Sequence, residues 1–464
     1  MGDKSYFRDS ISTVDEKGKR VWIYPKRPEG KYYDARKYLS YLFLILLFSG
    51  PYISINNQPL LLLNILERKF IIIGYVFWPQ DLHIFALGMV IMIIFISLFT
   101  VIFGRLFCGW VCPQTVFMEM VFRRIEYLIE GDWKKQKRLK EGKKSRDYFF
   151  KKTLKHIIFW SISFLIANTF LSYIIGYKAL LEIIFDHPKN HIIGLLSLTI
   201  FTTVFYLVFA KMREQVCTVV CPYGRLQGVL LDSNSLQVAY DYIRGENRAK
   251  IRKNENRTKN NKGDCIDCEQ CIHVCPTGID IRNGTQLECV NCTACMDACD
   301  FMMERVGQPK GLIRITSDNS IKTASPFKVT SRMKAYIMLL LTLIGILLSM
   351  LITRSEIETT IHRTRGTLFH QIENRYYINI YDISLINKTE EKIPITLKIT
   401  NGAGRIKIIG DSILLDEHSL FKSKFKIYID KTKLKSVNTD ICIGVYKGDK
   451  LLEEISTSFI SPLF

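Results

Sequence analysis

The sequence predicts a multidomain membrane protein in which an α-helical bundle, a small cysteine-rich domain and a C-terminal all-β sandwich follow one another. Three observations lead to this fold class. Five long apolar blocks interrupt the 464-residue chain, eight of its 13 cysteines fall within residues 265–299, and residues 354–464 contain short runs of alternating apolar and polar side chains.

The apolar blocks predict five transmembrane helices. A helix needs about 20 apolar residues to span a bilayer, and each block approaches that length without a Lys, Arg, Asp or Glu. The first block follows too many charged residues to be a cleaved signal peptide. The five predicted spans are Tyr38–Ile55, Ile84–Phe103, Ile157–Ile175, Ile192–Ala210 and Ala335–Ile352.

The distribution of basic residues predicts the orientation of these spans. Arg123–Lys155 is dense in Lys and Arg, whereas Asn56–His83 and Tyr177–His191 hold two basic residues each. Because short cytoplasmic loops carry the excess of Lys and Arg, the dense loop is expected in the cytoplasm. The N-terminus and Lys211–Lys334 then lie on the same side, and the tail from Thr353 lies outside.

The formal net charge of +20 fits this arrangement. Basic charge also marks proteins that bind nucleic acid, but here it is concentrated beside the predicted spans, where anionic lipid attracts it. We therefore expect membrane lipid as the partner of this charge, and no nucleic acid.

The eight clustered cysteines form two successive C-x2-C-x2-C-x3-C runs, the ligand pattern of a two-cluster bacterial ferredoxin. In such proteins three cysteines of a run bind one cluster, and the fourth binds the other. The first predicted 4Fe-4S ligand set is Cys265, Cys268, Cys271 and Cys299, and the second is Cys275, Cys289, Cys292 and Cys295.

Two other interpretations of these runs are weaker. Paired C-x2-C units also bind zinc, but a zinc site takes four cysteines and rarely repeats an interleaved plan of eight with Pro276 after the fourth ligand. A disulfide framework is disfavoured because the predicted topology places both runs in the reducing cytoplasm. Asp300 stands where a second proline would follow Cys299, which leaves the ligand count unchanged.

Four further cysteines form two C-x3-C pairs, each followed by proline and each placed just after a span predicted to run inward. With i, i+4 spacing on a helix, the Cβ atoms lie about 5–6 Å apart, which is too far for an unstrained disulfide. Thiolates suit Cu(I). The alternative is ordinary buried cysteines near helix ends. The predicted metal-binding and catalytic residues are Cys108, Cys112, Cys217 and Cys221.

The tail shows strand-like alternation separated by Asn, Asp and Gly turns. Short strands over a segment of this length fit an immunoglobulin-like sandwich. The tail has no obvious catalytic constellation, so we expect a docking or spacing role, with Cys442 packed in a strand. The predicted strand segments include Tyr376–Leu385, Ile393–Thr400, Leu420–Ile429 and Ile441–Tyr446.

With these motifs, the chain resembles the FixG/RdxA/CcoG family of membrane polyferredoxins, accessory proteins of the C-family haem-copper oxidases. The resemblance runs through nearly the whole chain, and the two C-x3-C-P pairs upstream of the ferredoxin runs make it specific. Asn247 departs from the proline expected in its segment. The motifs are YPKRPEGKYYDARK, FWPQDLHIF, RLFCGWVCPQTVFMEM, CTVVCPYGRLQ, YDYIRGENR and GDCIDCEQCIHVCPTGIDIRNGTQLECVNCTACMDACD.

The sequence predicts five consecutive regions on alternating sides of, or within, the membrane. A cytoplasmic N-terminal segment (1–37) precedes a membrane domain with four spans and both C-x3-C-P motifs (38–222). A cytoplasmic ferredoxin-like domain with two 4Fe-4S clusters (223–334), a fifth transmembrane helix (335–353) and a periplasmic immunoglobulin-like domain (354–464) follow. The resemblance implies a multi-pass protein of the bacterial cytoplasmic (inner) membrane.

The resemblance also implies an oxidoreductase that transfers electrons from its clusters to Cu(II) and supplies Cu(I) for assembly of a cytochrome oxidase. Oxidase subunits or copper chaperones are the partners it implies, and a homodimer is left open. Because the chain lacks a phosphate-binding glycine loop and a flavin fingerprint, we expect electrons to come from another carrier, which the sequence does not identify.

Two other functions stay open at this point. A quinol-oxidising, NapH-like module of a respiratory chain also combines C-x3-C-P pairs with eight ferredoxin cysteines, although the fifth span and the tail argue against it. A non-enzymatic oxidase-assembly scaffold would use its clusters only to stabilise the fold.

Overall fold

The chain divides into two units, Met1–Leu347 and Leu348–Phe464, in a computed structural model of the protein. The structure describes residues 13–462 except 16, 56–57, 66–68, 143–144, 253–256, 258, 365, 367, 373–374, 390, 403, 411–412, 418 and 435. The prediction treats residues 38–222 and 223–334 as separate domains, whereas the structure places both segments in the first unit.

Helices dominate the described part of the first unit, and π-helical turns interrupt them at Phe117–Phe122, Val208–Met212 and Val216–Val220. The α-helices are α1 (Lys31–Ser49), α2 (Leu82–Phe103), α3 (Leu106–Trp110), α4 (Pro113–Val116), α5 (Arg123–Ile129), α6 (Trp133–Glu141), α7 (Arg146–Ile175), α8 (Tyr177–Phe185), α9 (Ile192–Leu207), α10 (Pro222–Leu230), α11 (Tyr242–Gly245), α12 (Gln270–His273), α13 (Ala294–Arg305), α14 (Asp318–Thr323) and α15 (Ser331–Ile352). The strands are β1 (Ser54–Ile55), β2 (Gln58–Pro59), β3 (Leu61–Asn64), β4 (Lys69–Ile72), β5 (Tyr75–Phe77), β6 (Gln237–Tyr240) and β7 (Ile313–Thr316).

Among the described residues, four helical segments are long and apolar enough to cross a membrane: Leu82–Phe103, Arg146–Ile175, Ile192–Met212 and Ser331–Ile352. They contain the second to fifth predicted spans. Each of these segments is largely exposed within the described part of the chain, as expected of surfaces that face lipid.

The first predicted span, Tyr38–Ile55, is only partly helical. Helix α1 ends at Ser49, and a 3-10 turn at Gly50–Tyr52 leads into β1. Proline has no N–H to continue a helix, which accounts for a break at Pro51. Helix α1 has 19 residues, and its first turns carry four charged residues, which leaves a shorter apolar stretch before the break. A fifth span and the sidedness of the spans therefore stay predictions.

Residues 223–334, here called the ferredoxin lobe, are fixed against the apolar helices. The carboxylate of Asp297 accepts hydrogen bonds from the backbone N–H groups of Tyr32 and Tyr33 at 3.1 and 2.8 Å. These groups belong to the first turn of α1, where N–H groups have no partner within the helix. The N–H of Leu236 donates to the carbonyl oxygen of Ile102 at 2.8 Å and ties the lobe to the end of α2.

An aromatic core holds the helical segments that flank the C-x3-C motifs. Phe122, in one π-helical turn, stacks on Phe209 of another with ring centroids 4.6 Å apart. Phe159 of α7 meets Phe122 edge to face at 4.8 Å. Because one turn follows Cys112 and the other precedes Cys217, this core fixes both motifs relative to each other.

The second unit is a sandwich of two antiparallel sheets, ordered β12-β14-β10-β8, with β9 beside β10, and β13-β11-β15-β16. Tyr381 stacks on Phe425 within one sheet, and their core also contains Ile443 and Val445 from the other. The four predicted segments lie in β10, β11, β14 and β15, and Cys442 lies in β15. The strands are β8 (Ile357–Arg363), β9 (His370–Ile372), β10 (Tyr376–Asn387), β11 (Ile393–Asn401), β12 (Arg405–Ile409), β13 (Ile413–Leu415), β14 (Leu420–Asp430), β15 (Asn438–Lys447) and β16 (Lys450–Ile460).

Candidate metal centres

The first predicted ligand set lines one small cavity. Cys265, Cys268 and Cys271 come from a single loop, and Cys299 reaches the cavity from α13. Apolar side chains of the lobe complete the wall, including Leu312. The fold thus places Cys299, the fourth cysteine of the second run, beside the first three cysteines of the first run.

The second predicted ligand set lines a small neighbouring cavity. Cys289, Cys292 and Cys295 surround it together with Cys275, the fourth cysteine of the first run. Cys271 contributes to both cavities, so the two spaces adjoin. The exchange of fourth cysteines between the runs is the one that the spacing predicts.

The two runs share an unusual backbone conformation. Asp267 and Asn291 have φ angles of 51°, and Glu269 and Thr293 have φ angles of 55° and 64°. These residues occupy equivalent positions, two and four after the first cysteine of each run. Non-glycine residues rarely adopt positive φ, and such strain concentrates at functional sites. Both loops therefore wrap around their cavities in the same way.

Burial makes these thiols hard to ionise without a metal. It raises the pKa of Cys292 to about 11 and that of Cys299 to about 12, and neighbouring thiolates add to the effect. All 13 cysteines are free thiols. Fe-S clusters are held by Cys thiolates, so the loops, the cavities and the soft donors fit two 4Fe-4S clusters.

The C-x3-C-P pairs lie at helix junctions. Cys112 and Cys221 have non-helical backbone angles at the N-caps of α4 and α10, and Pro113 and Pro222 occupy the first position of each helix. Proline is favoured there because its missing N–H has no intrahelical role. Each helix restarts at its proline, so the pairs do not lie on an uninterrupted helix as the i, i+4 argument assumed.

The structure brings both pairs together into what we call the four-cysteine site: Cys108, Cys112, Cys217 and Cys221. Burial raises the pKa of Cys108 to about 11 and that of Cys217 to about 12, and thiolates of the opposite pair raise both further. The described residues include no three His, Cys, Asp or Glu side chains that converge on one metal ion.

Gln227 is a polar neighbour of this site that sequence reasoning did not single out, although the CTVVCPYGRLQ motif contains it. Its amide nitrogen donates to the Sγ atom of Cys108 at 3.1 Å. The side chain is fully buried, and its Oε1 atom has no partner among the described atoms. Gln227 therefore holds the Cys108 sulfur in place by a directed hydrogen bond.

Arg105 links the two pairs to the ferredoxin lobe. Its guanidinium donates to the carbonyl oxygen of Leu287, near the second cysteine run, and to that of Gly224 in α10, just after Cys221. Gly224 itself lies against the carbonyl oxygen of Cys217, which a β-carbon would displace. Sequence analysis also missed Arg105, because its partners lie 182 and 119 residues away.

A small cavity adjoins Cys217 and is lined in part by Met118, Arg213 and Glu214. Arg213 donates to the buried carboxylate of Glu126 at 2.5 Å. Neighbouring pairs extend these charges into a buried network: Arg123–Glu119 at 3.1 Å, Arg123–Glu214 at 3.8 Å and Lys155–Glu130 at 2.9 Å. This network fixes the segment that leads into Cys217.

Comparison with protein-family models identifies three regions. A 4Fe-4S dicluster domain matches residues 212–318, and a 4Fe-4S binding domain matches residues 85–136. The model described as an IG-like fold at the C-terminal of FixG matches residues 347–462. The last match confirms that the predicted sandwich is immunoglobulin-like.

Curated relatives match most of the chain. Protein RdxA of Cereibacter sphaeroides is 31% identical over 86% of this chain and 86% of its own. Protein RdxB of the same organism is 30% identical over 83% of each chain. Nitrogen fixation protein FixG of Rhizobium meliloti is 36% identical over 64% of this chain and 57% of its own.

These matches and the two cysteine-lined cavities identify an iron-sulfur electron-transfer protein. The four apolar helices and the relatives also indicate a membrane protein. The chain belongs to the FixG/RdxA family, as its motifs predict.

Proposed function

We propose that this protein reduces Cu(II) to Cu(I) at the four-cysteine site and delivers Cu(I) for assembly of a C-family haem-copper oxidase. The observation that carries the proposal is the meeting of both C-x3-C-P pairs beside the second ligand set. Cys108 packs in the same apolar cluster as Cys292 and Cys295. A thiol-rich metal site therefore adjoins a site for an electron carrier.

The chemistry of the donors supports copper as the substrate. Soft thiolates favour Cu(I) over harder ions, so thiolates at the four-cysteine site would stabilise the product of the reduction. One electron converts one Cu(II) to Cu(I), and the 4Fe-4S clusters supply single electrons when bound. Gln227 positions one of the sulfur ligands.

The test separates copper binding from electron supply. Replacing Cys108 and Cys112 with Ser should lower bound copper and leave iron near that of the wild type. Replacing Cys268 and Cys292 with Ser should deplete iron and abolish copper reduction while copper still binds. Metal analysis and a chromogenic Cu(I) assay on anaerobic protein measure both effects. Full copper binding and reduction in the first double variant would refute the proposal.

A third 4Fe-4S cluster is the second candidate for the four-cysteine site. The 4Fe-4S binding-domain match over residues 85–136 contains only Cys108 and Cys112 as cysteines. In addition, the described thiols do not converge on a single ion, and in a cubane cluster each thiolate binds a different iron. Two four-iron clusters give about eight iron atoms per chain, and a third gives about twelve. Iron analysis therefore distinguishes the candidates.

We also propose that the N-terminus and the ferredoxin lobe face the cytoplasm and that the tail is periplasmic. The dense basic loop at Arg123–Lys155 supports this orientation. A reporter inserted in Arg138–Lys144 should be active only if it works in the cytoplasm, and one fused after Phe464 only if it works outside. Cytoplasmic signals from both positions would overturn the topology.

A further inference from the structure

The four-cysteine site touches the ferredoxin lobe at a glycine. Gly109 lies between Cys108 and Cys112, and a β-carbon on it would clash with the carbonyl oxygen of Val290 and lie 2.8 Å from that of Asn291. Both carbonyl groups belong to the loop Cys289–Cys295, which carries three cysteines of the second ligand set. The backbone of the first C-x3-C motif is therefore in direct contact with this loop.

Both cysteine pairs reach the same part of the lobe. Cys108 packs in an apolar cluster with Val290 and Cys292. Cys217, of the other pair, lines a cavity together with Val290, Pro276 and Thr277. Pro276 and Thr277 directly follow Cys275, a member of the second ligand set. Two separate contacts thus join the four-cysteine site to the second ligand set.

The first ligand set has different surroundings. Its cavity is lined by residues of the ferredoxin lobe, among them Tyr240, Met303 and Leu312. Among the described lining residues, none belongs to either C-x3-C-P motif. The second ligand set therefore separates the first from the four-cysteine site.

We infer that the loop Cys289–Cys295 is the path by which electrons reach the four-cysteine site, so that the second ligand set holds the immediate donor to copper. This inference rests on the proposed function. With a cluster bound by that set, one electron would pass to Cu(II) and give Cu(I), without bond making or proton transfer. A cluster bound by the first ligand set would supply the replacement electron, taken from a one-electron carrier protein.

Cobalt(II) tests this arrangement without copper chemistry, because it binds thiolates, is paramagnetic and is not reduced by the clusters. The dithionite-reduced protein is loaded with Co(II), and the spin relaxation of each cluster is measured by electron paramagnetic resonance. We expect Co(II) to accelerate relaxation of one cluster signal in the intact protein. The C268S variant, which retains the second ligand set, should keep this effect, and C292S should lose it.

Two further variants complete the test. C108S/C112S should abolish the cobalt effect, which places the ion in the four-cysteine site. G109A should weaken the effect and slow copper reduction at unchanged iron content, because the added β-carbon pushes the motif away from Val290. G88A is the matched control, since a β-carbon at Gly88 of α2 meets no atom within 4 Å.

The outcomes distinguish this inference from the proposed function. The inference is overturned if Co(II) accelerates the relaxation of only the cluster in the first ligand set. It is also overturned if Co(II) affects both clusters equally or affects neither. If the contrast between C268S and C292S holds but the protein does not reduce copper, the inferred contact stands and the proposed function fails.

Discussion

Replacement of Gln227 by Leu tests whether a single buried amide supports the four-cysteine site. The variant removes the hydrogen bond from the Gln227 amide to the Cys108 sulfur, which is 3.1 Å long. A hydrogen bond between Gln227 and the Tyr223 hydroxyl is also lost. The Oε1 atom of Gln227 has no partner among the described atoms, so its removal breaks no further hydrogen bond. Leucine fills most of the same buried space.

The expected loss follows from the charge on the sulfur. In the proposed copper site the Cys108 thiolate is a ligand, and a hydrogen bond to a charged group contributes about 1.5–3 kcal/mol. Since 1.4 kcal/mol is a tenfold change in an equilibrium constant, we expect Cu(I) to bind about 10- to 150-fold more weakly in the variant.

The assay is anaerobic competition of the protein with a chromogenic Cu(I) chelator. Gln136→Leu is the matched control, because Gln136 is also buried and its amide donates to the carbonyl oxygen of Gly131 at 2.8 Å. The control should bind Cu(I) like the wild type. Wild-type affinity in Gln227→Leu, with iron content unchanged, would refute the role assigned to this amide.

Four further predictions follow from the buried thiols and charges. Cys268→Ser should lose about half of the bound iron, measured by metal analysis, because it disables one of two four-iron ligand sets. Glu126→Gln should destabilise the protein by about 3–5 kcal/mol, because it removes the charge of the buried carboxylate to which Arg213 donates; the measurement is the melting temperature. Asp147→Asn, in an exposed pair with Lys151, should cost under about 1 kcal/mol. Burial alone would raise the pKa of Glu126, but Arg213 and other buried cations outweigh burial and lower this pKa. The ionised Glu126 therefore stabilises the folded protein fully at neutral pH, and this stabilisation is lost as the pH falls below about 4. The melting temperatures of wild type and Glu126→Gln should accordingly approach each other in acid. Burial raises the pKa of Cys108 to about 11, so Cu(I) binding must release thiol protons, and affinity measured from pH 6 to 8 should rise about tenfold per pH unit for each proton released.

Local spacing in the sequence was enough to predict the grouping of the ferredoxin cysteines. Three cysteines of each run lie within one loop, and a short loop leaves few ways to arrange them. The exchange of the fourth cysteines follows from the same plan, and the cavities around Cys275 and Cys299 agree with it. The strands of the tail and four apolar helices were likewise predictable, because alternation and length are local properties.

Only the tertiary structure decided what surrounds the four-cysteine site. Gln227 lies 119 residues from Cys108, and Gly109 meets Val290 across an even longer separation in the chain, so no local pattern predicts either contact. The end of α1 at Ser49 also escaped prediction, because apolar composition continues past the break at Pro51. Spacing determines which thiols a single loop can bring close together. Packing between segments distant in the chain determines which carbonyl group, amide or further thiol lies beside them.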